Sequence, residues 1–283
     1  MKKVWVGNFY IGEDAPLCFI SGPCVIESED HALFTAEKLL SITSKFNINF
    51  IYKSSFDKAN RMSVYSYRGP GIEKGLQILQ RVKEEFNIPV VSDVHTPEQA
   101  YLAKDVCDML QIPAFLCRQT DLITSCAKTQ KPLHVKKGQF LAPHDMKTVV
   151  EKITASGNDQ ILLGDRGTSF GYNNLVSDMR AIAIMQKTGF PVCFDASHSV
   201  QLPGGMGNSS GGQREFIPLL SRCAIAAGCN AIYMESHPDP TQAKSDAHSV
   251  MPLGMIENIL TQLTAIYETM QANKTVVLES SYH

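Results

Sequence analysis

Short apolar runs alternate with amphipathic stretches along most of the chain, and that alternation predicts strands and helices in turn. Leu17-Cys18-Phe19-Ile20 is the first buried-strand run. Ser28 then opens a helix with Glu29 and Asp30 in its first turn and Leu33, Ala36 and Leu40 on one face. Phe50-Ile51-Tyr52 ends at Lys53, a helix follows over Ile72–Phe86, and Pro89–Ser92 leads to Asp93. A short helix over Pro97–Ala103 precedes a strand over Val106–Leu110 that ends at Gln111. The second half repeats the scheme. Helices are expected over Gln119–Lys128, Pro143–Ala155, Leu175–Lys187 and Phe216–Ala227, with a last one from Pro252. Between them, strands end at Lys136, at Asp165 with Arg166, at Asp195 and at Glu235.

Eight strands and eight helices result. The strands are continuous apolar runs rather than alternating ones, as when both faces of a sheet are covered. The pattern therefore predicts an α/β chain, a single (β/α)8 TIM barrel over residues 1–283. An open doubly wound sheet is the alternative, but Gly22–Glu27 lacks GxGxxG and the chain has no GxxxxGK[ST]. Residues 1–12 read as a short β-hairpin turning at Gly7-Asn8, placed to plug one barrel end. Residues 270–283 read as a flexible tail.

Composition narrows the partners. The 283 residues hold 26 Lys plus Arg against 28 Asp plus Glu, a net charge of −2. This gives no drive towards nucleic acid or membrane. No signal peptide or transmembrane run is apparent, so a cytoplasmic protein is expected. The eight cysteines follow no framework spacing, and Cys107, Cys193, Cys223 and Cys229 sit in apolar or helical surroundings. Buried reduced thiols are the expectation.

The chemistry lies at the strand ends. In order these are Cys24, Lys53, Asp93 with His95, Gln111, Lys136, Arg166, Asp195 with His198, and Glu235 with His237. The C-terminal ends of barrel strands converge on one mouth. Lys53, Lys58, Arg61, Arg68, Arg118, Lys136 and Arg166 would repel one another there unless anions sit among them. Ion pairs with Asp57, Asp93 and Asp165 are the structural alternative. A second group, Cys24, His198, Glu235 and Asp246, comes from units one, seven and eight, which become neighbours on closure. Its donors suit a borderline divalent ion such as Fe(II), Zn(II) or Mn(II). Cys24 as an ordinary buried thiol stays open, and His95, His237 and His248 are rival ligands. The glycine-rich stretch 204–212 fits either a mobile lid or a plain surface loop.

The motifs Ser21-Gly22-Pro23-Cys24-Val25-Ile26-Glu27-Ser28, Lys53-Ser54-Ser55-Phe56-Asp57-Lys58-Ala59-Asn60-Arg61 and Ser66-Tyr67-Arg68-Gly69-Pro70-Gly71 carry a family resemblance. So do Phe115-Leu116-Cys117-Arg118-Gln119-Thr120-Asp121, Asp165-Arg166-Gly167 and Glu235-Ser236-His237-Pro238-Asp239-Pro240. In this order they resemble the 3-deoxy-D-manno-octulosonate 8-phosphate synthases over Leu17 to Tyr267. The resemblance implies a transferase that condenses phosphoenolpyruvate with D-arabinose 5-phosphate and water, in the cytoplasm, as a homotetramer of barrels. Its product enters the inner core of lipopolysaccharide.

Carried over by motif, Lys58, Lys136 and Arg166 would grip phosphoenolpyruvate, with Lys53 and Gln111 beside it. Asn60 and Arg61 would hold the sugar phosphate, Arg118 would reach it from a neighbouring subunit, and Asp93 would lie near the aldehyde. The chemistry is expected of Cys24, Lys58, Asp93, His198 and Asp246. Cysteine at position 24 resembles the metal-dependent members and asparagine the metal-independent ones, so the resemblance implies one divalent ion per subunit and no organic cofactor. Met62 stands where the family commonly has a phosphate-binding serine, leaving Ser63 or a water to serve. The related heptulosonate synthases are the nearest alternative, but their Lys-Pro-Arg-Thr segment is replaced by Lys58-Ala59-Asn60-Arg61. A noncatalytic phosphate-binding barrel is a third reading.

Overall fold

The computed structural model describes residues 1–204 and 211–273, and among these eight parallel strands close into a barrel. They are β1 (Leu17–Gly22), β2 (Ile48–Lys53), β3 (Val90–Asp93), β4 (Met109–Ile112), β5 (Leu133–Lys136), β6 (Ile161–Asp165), β7 (Val192–Asp195) and β8 (Ala231–His237). Each pairs with the next, and β8 pairs with both β7 and β1. Helices follow the strands: α1 (Glu29–Thr43), α2 (Ile72–Phe86), α3 (Pro97–Ala103), α4 (Thr120–Lys128), α5 (Met146–Ala155), α6 (Arg180–Gln186), α7 (Ile217–Ala226) and α8 (Leu253–Ala272).

Local chemistry sets the boundaries. Ser28 caps α1, its hydroxyl accepting from the His31 N–H at 3.1 Å. Thr96 caps α3 in the same way. One expected helix, Leu175–Lys187, is much shorter. Leu175–Val176 pairs antiparallel with Thr168–Ser169, and the Asp178 carboxylate accepts from the Arg180 N–H at 3.0 Å. That side chain turns the backbone and starts the helix at Arg180. Strand β4 begins at Met109, not Val106, because the Val106 and Cys107 N–H groups bond back to the Ala103 carbonyl. The helices expected from Pro143 and Phe216 open with the 3-10 turns Pro143–Asp145 and Arg214–Phe216.

The core has two shells. Outward-facing strand residues such as Phe19, Tyr52, Leu110, Val135 and Phe194 pack with the helices. Inward-facing Cys18, Ile20, Ile51, Val91, Met109, Leu162, Cys193 and Ala231 fill the lower barrel. The hairpin Val4–Val6 with Phe9–Ile11 inserts Val4, Val6 and Ile11 into this inner cluster and so plugs the barrel. All eight cysteines are free thiols, and Cys223 is exposed on α7 rather than buried. Helix α8 runs through Ala272, past Met270 where the tail was expected, and the Asn273 side chain donates to the Thr269 carbonyl at its end. The rest of that tail, and residues 205–210 of the glycine-rich stretch, lie outside the described residues. No described helix is long and apolar enough to cross a membrane.

Candidate active site

The loops at the C-terminal ends of the strands enclose a cavity of about 540 Å³. Of the residues expected at the mouth, Lys58, Asn60, Arg61, Asp93, Gln111, Lys136, Arg166, His198 and Asp246 line it. Lys53 does not: it is buried beneath, donating to the Cys24 carbonyl at 3.0 Å and to Glu235 Oε1 at 3.1 Å. Arg118 is exposed outside the cavity of its own chain.

Three cations line the cavity: Lys58 from the loop after β2, Lys136 at the end of β5 and Arg166 just after β6. The Lys136 ammonium donates to Asp195 Oδ2 at 2.6 Å and stands 3.5 Å from the centre of the Tyr233 ring. Burial lowers its pKa, and Asp195 opposes that shift. Arg166 donates to Gln201 Oε1 at 2.7 Å and to the His198 carbonyl at 3.3 Å, and its buried Nε has no partner among the described residues. The alternative pairing of Arg166 with Asp165 is not made: Asp165 lies 3.4 Å from Lys137. Arg68, in contrast, is an ordinary exposed ion pair with Asp57, its Nε donating at 2.8 Å.

Asp93 marks the centre. Ser55 donates to its Oδ2 at 2.6 Å, Gln111 donates to its Oδ1, and Lys58 lies 3.6 Å away. Burial works against the charge, but Lys53, Lys58 and Lys136 hold its carboxyl well below the usual range. Asp93 is therefore an acceptor at working pH. Arg61 reaches the other side, donating to Ser245 Oγ at 2.5 Å and the Lys244 carbonyl at 3.4 Å. Met62 is exposed along the cavity wall. Ser63 accepts from the Tyr65 N–H and does not line the cavity, whereas Ser66 does.

The remaining corner is acidic. Cys24 Sγ, a Glu235 oxygen and an Asp246 oxygen lie within 4.8 Å of one another. Gly22 makes the approach: its φ is +156°, and a Cβ there would meet the Lys53 carbonyl oxygen at 2.1 Å. Asp246 is also in the left-handed region, at φ 52°. The Cys24 thiol donates to Asp246 Oδ2 at 3.2 Å. Burial, with Asp246 and Glu235, pushes that thiol's pKa well up. Glu235 Oε1 accepts from Lys53 and from the Tyr233 hydroxyl at 2.8 Å, while its buried Oε2 has no hydrogen-bond partner among the described residues.

These observations fit a divalent cation. Three acidic donors crowded together, one with a bare oxygen, need positive charge among them. His198 stands at the edge of the trio, its Nε2 3.4 Å from Asp246 and 3.8 Å from Glu235. Its Nδ1 is held by both Asp195 oxygens at 2.9 and 2.8 Å, the arrangement that orients a ligating imidazole. Of the rival histidines, His95 and His248 line the cavity without joining the described trio, and His237 belongs to a separate cluster.

Sequence reasoning missed Gln201, Gln139 and Tyr233 as parts of the site, and left Asp195 without a partner. Tyr233 was findable, being two residues before Glu235 and so on the same strand face. Gln201 gives no sequence signal.

The DAHP synthetase I family matches residues 3–272. The 2-dehydro-3-deoxyphosphooctonate aldolase of Protochlamydia amoebophila is 56% identical over 271 residues, covering 96% of this chain and 98% of that protein. The protein of the same name from Rickettsia conorii is 57% identical over 262 residues, 93% and 96% of the two chains. That from Francisella tularensis subsp. holarctica is 55% identical over 258 residues, 91% and 94%.

Proposed function

The chain belongs to the DAHP synthetase I family and, within it, to the 2-dehydro-3-deoxyphosphooctonate aldolases, and from this we propose that it condenses phosphoenolpyruvate with D-arabinose 5-phosphate and water. A 2-dehydro-3-deoxyoctonate is an eight-carbon 2-keto acid. Three carbons from phosphoenolpyruvate and five from arabinose supply them. The heptulosonate alternative needs a four-carbon sugar and has the family-level match alone behind it. The observation that carries the reading is one cavity lined by Lys58, Lys136 and Arg166 and also by His198 and Asp246 of the acidic corner.

The bond from C3 of phosphoenolpyruvate to the aldehyde carbon forms as water oxygen bonds to C2. One water proton ends on the former aldehyde oxygen. The C2–O bond to phosphate then breaks, and the other proton leaves with inorganic phosphate. Lys136, Arg166 and Lys58 neutralise the phosphate and carboxylate of phosphoenolpyruvate, with Gln111 beside them. Asn60 and Arg61 take the sugar phosphate, and Asp93 accepts a hydrogen bond near the aldehyde end. Lys53 serves from below, fixing Glu235 and the Cys24 backbone. A divalent ion held by Cys24, His198, Glu235 and Asp246, of the Fe(II), Zn(II) or Mn(II) class, supplies Lewis-acid polarisation at that corner when bound. Arg118 is offered to a neighbouring copy in a homotetramer. The setting is cytoplasmic, and the product feeds lipopolysaccharide inner-core synthesis.

The test runs purified protein with phosphoenolpyruvate and either arabinose 5-phosphate or erythrose 4-phosphate in heavy-oxygen water. Chelated and metal-restored samples are compared. The expected outcome is an octulosonate carrying the label, unlabelled phosphate, and turnover lost on chelation. Labelled phosphate, or preference for the four-carbon sugar, overturns the reading.

A further inference from the structure

The loop between β8 and α8 delivers two functional groups in succession. Ser245 accepts from Arg61, and Asp246 enters the acidic corner in a left-handed conformation. Such a conformation persists where surrounding contacts over-determine it. A second cluster, outside the site described above, lies against the start of this loop.

Glu27, His31 and His237 bring a carboxylate and two imidazoles within 4.8 Å of one another, by composition a second metal-binding group. The hydrogen bonding argues against it. His237 Nδ1 accepts from the Asp239 N–H at 3.0 Å, so the neutral ring carries its proton on Nε2. That nitrogen faces Glu27 Oε1 at 3.3 Å. A protonated ring nitrogen has no lone pair for an ion. The same Glu27 oxygen accepts from the Lys244 N–H at 2.9 Å.

We propose that Glu27 and His237 are positioning residues, a strap that fixes Lys244 and so presents Asp246 to the metal corner and Ser245 to Arg61. Lys244 is the node. Its N–H is held by Glu27 and its carbonyl accepts from Arg61. Its ammonium lies 4.6 Å above the Tyr67 ring, whose hydroxyl donates to the Ile26 carbonyl at 2.9 Å. Both ties lead back to the loop after β1, the loop that also carries Cys24. The strap therefore sets the distance between a thiol and a carboxylate of one corner. Lys136 and Arg166 stand on other strands and are untouched by it.

The inference rests on the proposed function, and its test separates the two. Co(II) affinity is measured by equilibrium dialysis and by the cobalt–thiolate charge-transfer band. KM is measured for each substrate on the metal-loaded enzyme. Glu27→Ala is expected to weaken Co(II) binding about tenfold, as loss of an outer-shell partner does. It should raise KM for arabinose 5-phosphate while leaving KM for phosphoenolpyruvate unchanged. Glu27→Gln keeps an acceptor oxygen and should retain near wild-type values. Glu27→Ala with His237→Ala should be no worse than either alone. Wild-type Co(II) affinity and KM in Glu27→Ala overturn the strap, as does an equal rise in both KM values. If Glu27→Ala does not fold, Glu27→Asp, shorter by one methylene, is read by the same criteria. A wild-type protein that binds no Co(II) through Cys24 and makes no octulosonate overturns the function itself.

Discussion

The two ends of the barrel interior are built on the same strands and face the same axis, yet they differ completely in chemistry. Two residues along a strand, about 6.6 Å, turn Ile51 into Lys53, Val91 into Asp93, Met109 into Gln111, and Cys193 into Asp195. Below the step, apolar side chains and the hairpin plug make a dry, tightly packed floor. Above it, buried charges are held by one another. The floor supplies stability and also keeps water from the charges above, so that each ion pair acts in a medium of low polarity. One strand thus serves packing and catalysis with no change of conformation.

The largest expected effect lies above the step. Arg166→Ala removes a charge-paired donor, a loss of roughly 2–5 kcal/mol in binding a phosphate. The kcat/KM for phosphoenolpyruvate should fall about 30-fold or more, while the melting temperature holds or rises because a buried cation is gone. A fall in melting temperature with normal kinetics would make Arg166 a structural residue and blur the division. Below the step the pattern should invert. Ile11→Ala leaves a cavity in the plug and should cost about 2–4 kcal/mol of stability, read by denaturant unfolding. Both KM values should stay at wild type.

The smallest effect sits at the junction. His134 is fully buried inside the barrel, and neither ring nitrogen has a hydrogen-bond partner among the described residues. Gly164 makes room for it, since a Cβ there would come within 2.6 Å of His134 Nε2. Burial, reinforced by Lys136, lowers its pKa from 6.5 to about 3. The folded state therefore refuses a proton that the unfolded chain accepts. Its contribution is intact above pH 6.5 and is lost as pH falls towards 3, about 2 kcal/mol by pH 5. Melting curves of His134→Leu should be flatter across that window than those of wild type. Equal slopes would show that His134 is protonated in the fold.

The sequence made the step itself legible. Apolar runs ending in Lys53, Asp93, Gln111, Lys136 and Glu235 marked the strands and their order, and three of those ends, Asp93, Gln111 and Lys136, line the cavity. It misplaced Leu175, whose side chain is buried from a two-residue strand paired with Thr168–Ser169 rather than from a helix face. It gave Lys53 to the substrate, because strand periodicity tells which face a residue takes but not how deep it lies. It gave Glu27 no role of its own and counted His237 as a rival ligand. Their partners lie across the seam between β1 and β8, and the direction of a hydrogen bond decides their role. No local spacing encodes that. Arg68 resolved into a local pair with Asp57 because the two are eleven residues apart on one loop.

That seam also has a temporal consequence. Cys24 and Asp246 touch across 222 residues of chain, and Ser21 bonds Met234 across 213. At about 5–20 residues per second on the ribosome, the thiol emerges tens of seconds before its carboxylate exists. The corner cannot be assembled by an amino-terminal fragment that ends before β8, because the barrel then has no eighth strand to close against the first. Newly made chain thus spends most of its synthesis without the Cys24–Asp246 contact, which only ring closure can make.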